Sequence, residues 1–131
     1  MTCGTFDLFH YGHLRILKRA REHGAFLVVG VLTDEAALKS KKKTIIPFVQ
    51  RIEIVRAIKY VDEVVALQHC GNNVAGLNEK RNLIIKNKID TFIMGDDWKN
   101  KFDHLRNLCD VKYLKRTPNI STTKIKAFLK I

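Results

Sequence analysis

The sequence predicts an α/β protein, a Rossmann-like parallel sheet flanked by helices, on two observations. Apolar runs of strand length alternate along the chain with segments of helical period. The runs Phe26–Leu32 and Thr91–Gly95 are apolar without polar alternation, as in strands buried on both faces, and such strands belong to parallel sheets covered by helices. Strand, helix, strand, helix implies right-handed crossovers, and a ligand site is then expected at the carboxyl ends of the strands.

In chain order, Met1–Gly4 supplies the end of a first strand. Leu14, Leu17 and Ala20 fall on one side of a helix from Gly12 to His23. The Phe26–Leu32 strand follows. Ile52, Val55 and Ile58 repeat the helical spacing, with Pro47 suited to the helix start, and Val61–Ala66 reads as a shorter strand. The stretch from Gln68 to Asn78, with Gly71-Asn72-Asn73 and Gly76, reads as a long, mobile surface loop. Leu83, Ile84 and Ile89 predict a helix before the Thr91–Gly95 strand. Val111–Leu114 is a last strand, and Ile125, Phe128 and Leu129 mark a terminal helix.

The 131 residues have no repeat and no Pro/Ser-rich linker, so a single domain over 1–131 is expected. With 46% hydrophobic and 28% charged residues, the chain has the composition of a packed core rather than of disorder. No apolar run approaches the roughly 18 to 20 residues that cross a bilayer, and no secretory pattern opens the chain; the expectation is a cytoplasmic protein without a membrane partner. Cys3, Cys70 and Cys109 are odd in number and form no CxxC pair, which reads as reduced thiols rather than a disulfide framework or zinc site. The net charge of +11 calls for an anionic partner. Apart from Lys41-Lys42-Lys43 the cations are scattered, and no basic arm interleaved with aromatics exists; composition leaves nucleotide and nucleic acid open.

Three motifs carry chemistry. In Gly4-Thr5-Phe6-Asp7-Leu8-Phe9-His10-Tyr11-Gly12-His13, the two histidines lie three apart where the first strand should turn into a helix. At that helix N-terminus both imidazoles can donate to phosphoryl oxygens beside the exposed backbone N–H groups. Two surface histidines with no ligand are the plain alternative. In Arg116-Thr117-Pro118-Asn119-Ile120-Ser121-Thr122-Thr123, hydroxyls and open N–H groups at the start of the last helix offer a second phosphate site, with Arg116 as a forked donor; Ser121 or Thr122 acting as a helix cap is compatible with this. Asp96 and Asp97 follow a buried strand and suit either a nucleobase amine or a helix cap, and Trp98 suits core or site. The lysines at 39 and 41–43 read locally as a solvated loop.

These residues resemble the cytidylyltransferase family, whose signature contains HxGH and whose second element is similar to RTxGISTT. Met94-Gly95-Asp96-Asp97-Trp98 with Lys101-Phe102-Asp103 is similar to the branch acting on glycerol 3-phosphate. The resemblance implies a nucleotidyltransferase-type fold and transfer of a cytidylyl group from CTP to a small phosphorylated alcohol, releasing pyrophosphate. It implies that His10 and His13 stabilise the α-phosphoryl transition state, with Lys42 and Arg116 on the β- and γ-phosphates. Thr5, Phe6, Asp7, Tyr11, Gly12, Gly95, Asp96, Thr117, Ile120, Ser121, Thr122 and Thr123 complete the nucleotide site, and Lys39, Lys41 and Lys80 hold the acceptor. Magnesium would come mainly through the CTP phosphates, with Asp7 as a metal-side or supporting carboxylate and no metal site from the protein itself. Lys59-Tyr60-Val61-Asp62-Glu63-Val64 suggests a homodimer. Three positions depart from the pattern: Ser40 replaces an expected lysine, Asn119 replaces glycine, and the loop after Gln68 lacks the family tryptophan. The alternatives are another acceptor (phosphoethanolamine, phosphocholine or a different polyol phosphate), ATP as nucleotide, or a nucleic-acid-binding module.

Overall fold

The computed structural model describes residues 1–131. Five strands form one all-parallel sheet in the order β3-β2-β1-β4-β5. The strands are β1 (Thr2–Gly4), β2 (Val28–Leu32), β3 (Glu63–Leu67), β4 (Thr91–Gly95) and β5 (Asp110–Leu114). The helices are α1 (Tyr11–Arg21), α2 (Asp34–Lys39), α3 (Phe48–Arg56), α4 (Val74–Lys86) and α5 (Thr122–Leu129), with 3-10 turns at Asp96–Trp98 and Asp103–Asn107. The Rossmann-like expectation holds, and the order in which successive strands are added reverses between β1 and β4, although all strands run parallel.

The apolar runs divide as the pleat dictates. Val28, Phe92 and Met94 join Met1, Ile84, Phe102, Leu105 and Val111 in one core cluster. Val29, Val31 and Ile93 join Phe6, Leu17, Ala20, Leu27 and Val55 in another. Alternate residues of the same strand therefore feed opposite layers, one closed by α4 and the other by α1 and α3. Register is in step across the centre, with Cys3 opposite Gly30 and Met94 opposite Tyr113.

Two expectations are corrected. The second strand begins at Val28 rather than Phe26, whose side chain is exposed; Leu27 turns its N–H to Asp62 Oδ2 at 2.7 Å. The stretch from Gln68 to Asn78 is not a free excursion. Asn73 caps α4 by accepting from Gly76 N at 2.8 Å, so the stretch from Val74 onward is helix. Gly76 is required because a Cβ there would lie 2.5 Å from the Gly71 carbonyl. Glu79 accepts from the N–H groups of Gln68 and His69 at 2.8 and 2.9 Å, and Lys80 Nζ donates to the carbonyls of His69 and Gly71 at 3.4 and 3.0 Å. Four bonds from two neighbouring helical side chains tie the loop down. Gly, Asn and Gln read as a loop because the partners lie further along the chain.

The helix α3 buries Arg51 together with Val55. Nε of Arg51 donates to Ile46 O at 2.8 Å, NH1 to Thr5 O at 2.6 Å and Leu32 O at 2.8 Å, and NH2 to Asp34 Oδ1 at 2.7 Å. One guanidinium therefore joins the ends of β1 and β2, the start of α2 and the segment leading into α3. Arg51→Met should leave these acceptors without a donor and lower stability by about 3 kcal/mol, read from urea unfolding. A loss under roughly 1 kcal/mol would remove Arg51 from this role.

Candidate active site

Beyond the β1–β4 pairing, the carboxyl ends of the strands open into a cavity of about 690 Å³. This is the topological switch point at which open α/β sheets bind ligands. All three sequence motifs reach it, although they are far apart in the chain.

His10 is the N-cap of α1. Its Nδ1 accepts from Gly12 N at 3.0 Å, while Nδ1 of His13 accepts from His10 N at 3.2 Å. A nitrogen that accepts from a backbone N–H cannot carry a proton, so each ring bears its proton on Nε2. The rings stack with centroids 3.8 Å apart, and Phe6 and Phe9 enclose His13 at 5.3 and 5.4 Å. Burial pushes the pKa of His13 down to about 3, the neighbouring His10 adding to the effect and Asp7 opposing it. Burial and then Arg116 lower that of His10. Both are neutral imidazoles with a fixed donor face. Gly12 leaves room for this arrangement, since a Cβ there would meet His10 Cε1 at 2.8 Å.

The Arg116–Thr123 segment packs against the same helix start. Asn119 has φ of 65°, so it takes the left-handed conformation that the family glycine would adopt. Ser121 caps α5 by accepting from Lys124 N at 3.1 Å. Thr122 Oγ1 donates to Asp7 O at 2.9 Å, joining the two motifs directly. Asp7 is buried, with its carboxylate accepting from Leu8, Ile45 and Ile46 N at 3.1, 2.8 and 2.9 Å. Phe6 and Leu8 on either side of it sit at φ of 56° and 49°, a conformation costly for side-chain-bearing residues. That carboxylate is thus a clamp on the segment following the lysines. Its oxygens are occupied by backbone donors and do not suit it to the metal-side role; Asp97 is the other carboxylate facing the cavity. A divalent ion fits this donor set only if substrate phosphates bring most of its ligands.

Lys41, Lys42, Arg116, Thr5, Phe6, Gly95, Thr117, Ile120 and Thr123 line the cavity as expected, and so does Lys80. Three expected residues do not. Tyr11 points outward on α1 and is 62% exposed. Lys39 lies on the exposed side of α2, because Ser40 turns the chain by donating to the carbonyls of Ala36 and Ala37 at 3.2 and 3.0 Å. Asp96 turns aside to accept from Arg116 N at 3.2 Å, leaving Asp97 on the cavity. Lys80 is itself buried, its ammonium holding the His69 and Gly71 carbonyls at the cavity wall. Residues that sequence reasoning missed are Arg51, Arg19, Lys115 and Lys126. Arg51 had a signal: Arg51, Val55 and Ile58 share the i, i+4, i+7 face, and an arginine on a buried stripe demands buried acceptors. Arg19 NH1 donates to Lys115 O at 2.8 Å and steadies the chain just before Arg116.

Neutral Nε2–H donors, two helix N-termini and a ring of lysine and arginine side chains around one cleft define a polyphosphate site built for phosphoryl chemistry. The family model described as cytidylyltransferase-like matches residues 1–128, and the chain belongs to that family. It is 46% identical over 126 residues to the glycerol-3-phosphate cytidylyltransferase of Bacillus subtilis, covering 96% of this chain and 92% of that protein. It is 33% identical over 130 residues to the ethanolamine-phosphate cytidylyltransferase of Arabidopsis thaliana, covering 93% of this chain but 30% of that protein. The crystal structure of the lipopolysaccharide core biosynthesis protein from Thermoplasma volcanium superposes with a TM-score of 0.72 at 24% identity, covering 89% of this chain and 95% of that one; it shares the fold.

The lowered histidine pKa values have a testable consequence. An unfolded imidazole titrates near about 6.5, so between that value and about 3 the unfolded chain binds a proton that folded His13 refuses. The stabilisation is complete above pH ~6.5 and is lost as the pH falls toward ~3. His13→Asn should flatten the acid side of the stability curve measured by urea midpoints. Nitrogen-15 NMR of the native protein should show the His13 Nε2–H tautomer unchanged from pH 8 to pH 5; an imidazolium signature at pH 6 would refute the assignment.

Proposed function

We propose that this chain transfers the cytidylyl group of CTP to glycerol 3-phosphate, giving CDP-glycerol and pyrophosphate. The observation that carries the reading is the stacked pair of neutral imidazoles, His10 and His13, facing a cation-lined cleft at the sheet switch point. Its support in kinship is the identity to the glycerol-3-phosphate enzyme over nearly the whole of both chains, against a partial match to the ethanolamine-phosphate enzyme.

In the reaction, a phosphate oxygen of the acceptor attacks the α-phosphorus of CTP, and the bond to the bridging oxygen of pyrophosphate breaks. Negative charge grows on the α-phosphoryl oxygens and on the leaving group. The Nε2–H groups of His10 and His13 stand ready for the first, held by Gly12 and His10 backbone donors and needing no reorganisation. Lys42 and Arg116 serve the β- and γ-phosphates, with the α5 N-terminus between Ser121 and Thr123. Magnesium carried on the CTP phosphates would supply further neutralisation of their charge. Asp97 is the acceptor for the cytosine amine in place of Asp96. Lys80 faces the acceptor phosphate, Lys41 stands with Lys42 on the triphosphate side, and Lys39 lies off the cleft on the exposed side of α2.

We propose also that the protein works as a cytoplasmic homodimer. The free thiols at Cys3, Cys70 and Cys109 suit a reducing compartment, and a second cleft of about 410 Å³ between Tyr11, Leu14 and Tyr60 offers a contact for another copy.

Pyrophosphate release, measured with each of the four nucleoside triphosphates against glycerol 3-phosphate, phosphoethanolamine and phosphocholine, tests the whole proposal. Turnover should require CTP and glycerol phosphate; release with phosphoethanolamine alone would move the acceptor assignment, and release with ATP alone the nucleotide assignment. In the same assay His10→Ala or His13→Ala should lower kcat by about 10²-fold with smaller effects on KM, the loss expected for one preorganised donor. Asp97→Ala should raise KM for CTP about tenfold, more than Asp96→Ala does. Equal effects of the two would leave base reading to neither alone.

A further inference from the structure

The helix α5 meets the rest of the site through residues one turn apart. Thr122 reaches the Asp7 carbonyl, and four residues on, Lys126 Nζ donates to Lys43 O at 2.7 Å and lies 3.6 Å from Asp7 Oδ2. Thr122 and Lys126 thus present the same face to Asp7. Asp7 in turn holds the N–H groups of Ile45 and Ile46. One ammonium joins the last helix to the segment carrying Lys41, Lys42 and Lys43.

That segment has little packing of its own. The side chains of Lys41–Lys43 are exposed, Lys41 takes a φ of 62°, and three like charges stand in sequence. It is held at its start by Lys42 N to Ala37 O at 2.9 Å and beyond its end by Thr44 Oγ1 to Asp34 Oδ1 at 2.9 Å. Between these points the Lys43 carbonyl goes to Lys126. Gathering Lys41–Lys43, Lys126 and Arg116 around one cleft is electrostatically unfavourable until a polyanion arrives. A contact that keeps the lysines in place before then lowers the cost of ordering them on binding.

We infer that Lys126 is a positioning residue for the nucleotide: it latches α5 to the lysine segment, so that Lys41–Lys43 and Arg116–Thr123 meet the triphosphate as one preformed wall. The inference rests on the proposed use of CTP. Once the triphosphate is bound, its own oxygens hold the lysines, so the latch acts mainly on KM for the nucleotide. The acceptor meets the other wall, at Lys80 and the loop it holds, which α4 fixes without help from Lys126.

The test uses Lys126→Met, Lys126→Gln and Lys126→Arg in the full chain, with CTP and glycerol 3-phosphate varied in turn and amide exchange of Ile45 and Ile46 followed by NMR without substrate. Lys126→Met should raise KM for CTP about tenfold while KM for glycerol 3-phosphate stays within about twofold and kcat within about threefold. Exchange at Ile45 and Ile46 should quicken about tenfold. Lys126→Gln, which can still donate to Lys43 O, should fall between, and Lys126→Arg should recover most of the loss. Unaltered exchange, an equal rise in both KM values, or a loss confined to kcat overturns the inference. So does outright unfolding of both Met and Gln variants, which would make Lys126 a determinant of the fold. A wild-type protein that releases no pyrophosphate from CTP removes the proposed function instead, and the exchange rates then judge the latch alone.

Discussion

The buried guanidinium of Arg51 is the interaction on which the site's architecture turns. Parallel strands end in a row of carbonyls and loops that have no common element to hold them, and each loop alone would be loosely placed. Arg51 supplies N–H donors in a rigid fork, and four bonds from it reach Thr5, Leu32, Ile46 and Asp34. Asp34 extends the network by accepting from Phe48 N at 3.1 Å and Thr44 Oγ1 at 2.9 Å; these bonds, with Phe48 N foremost, hold its carboxyl below the ordinary range. The geometry of the cleft is therefore set from behind, by a charge that never meets the ligand.

Asp7 does on the open side what Arg51 does on the buried side. Its carboxylate takes the N–H groups of Ile45 and Ile46, its carbonyl takes Thr122, and Lys126 stands beside it. The strained φ values of Phe6 and Leu8 aim this short side chain between three segments. A negative charge in the middle of many cations also offsets their repulsion where the lysine segment crosses the last helix. Asp7 acts as a clamp because backbone donors reach both of its oxygens.

The two histidines show how helix capping and chemistry can share atoms. Each Nδ1 satisfies a backbone N–H that a helix start would otherwise leave open, and each Nε2–H is thereby aimed at the cavity. Burial among Phe6, Phe9 and the stacked partner keeps the His13 ring neutral, which makes it a hydrogen-bond donor of fixed direction rather than an exchangeable charge. The neutral imidazole donors and the cations of Lys42 and Arg116 are in this way different residues around one cleft.

The sequence by itself determined the parallel α/β fold, because unbroken apolar runs and helical periods are local patterns. It likewise located the two motifs that meet at the cavity, because HxGH and Arg116–Thr123 each carry their donors within a short run of chain. It did not reveal that Asp97 rather than Asp96 faces the cavity, since the choice depends on Arg116 N, twenty residues away, capturing the first carboxylate. Nor did it reveal that Gln68–Asn78 is held rather than mobile, since Glu79 and Lys80 act only once α4 is folded back beside it. Tyr11 and Lys39 lie outside the cavity, because a motif gives spacing but not the side of the helix that packs. The roles of Arg51 and Lys126 were decided by tertiary structure alone: a hydrogen-bond donor has no meaning until folding brings its acceptors, in these cases from Thr5 to Ile46 and from Asp7 to Lys43, within about 3 to 4 Å of it.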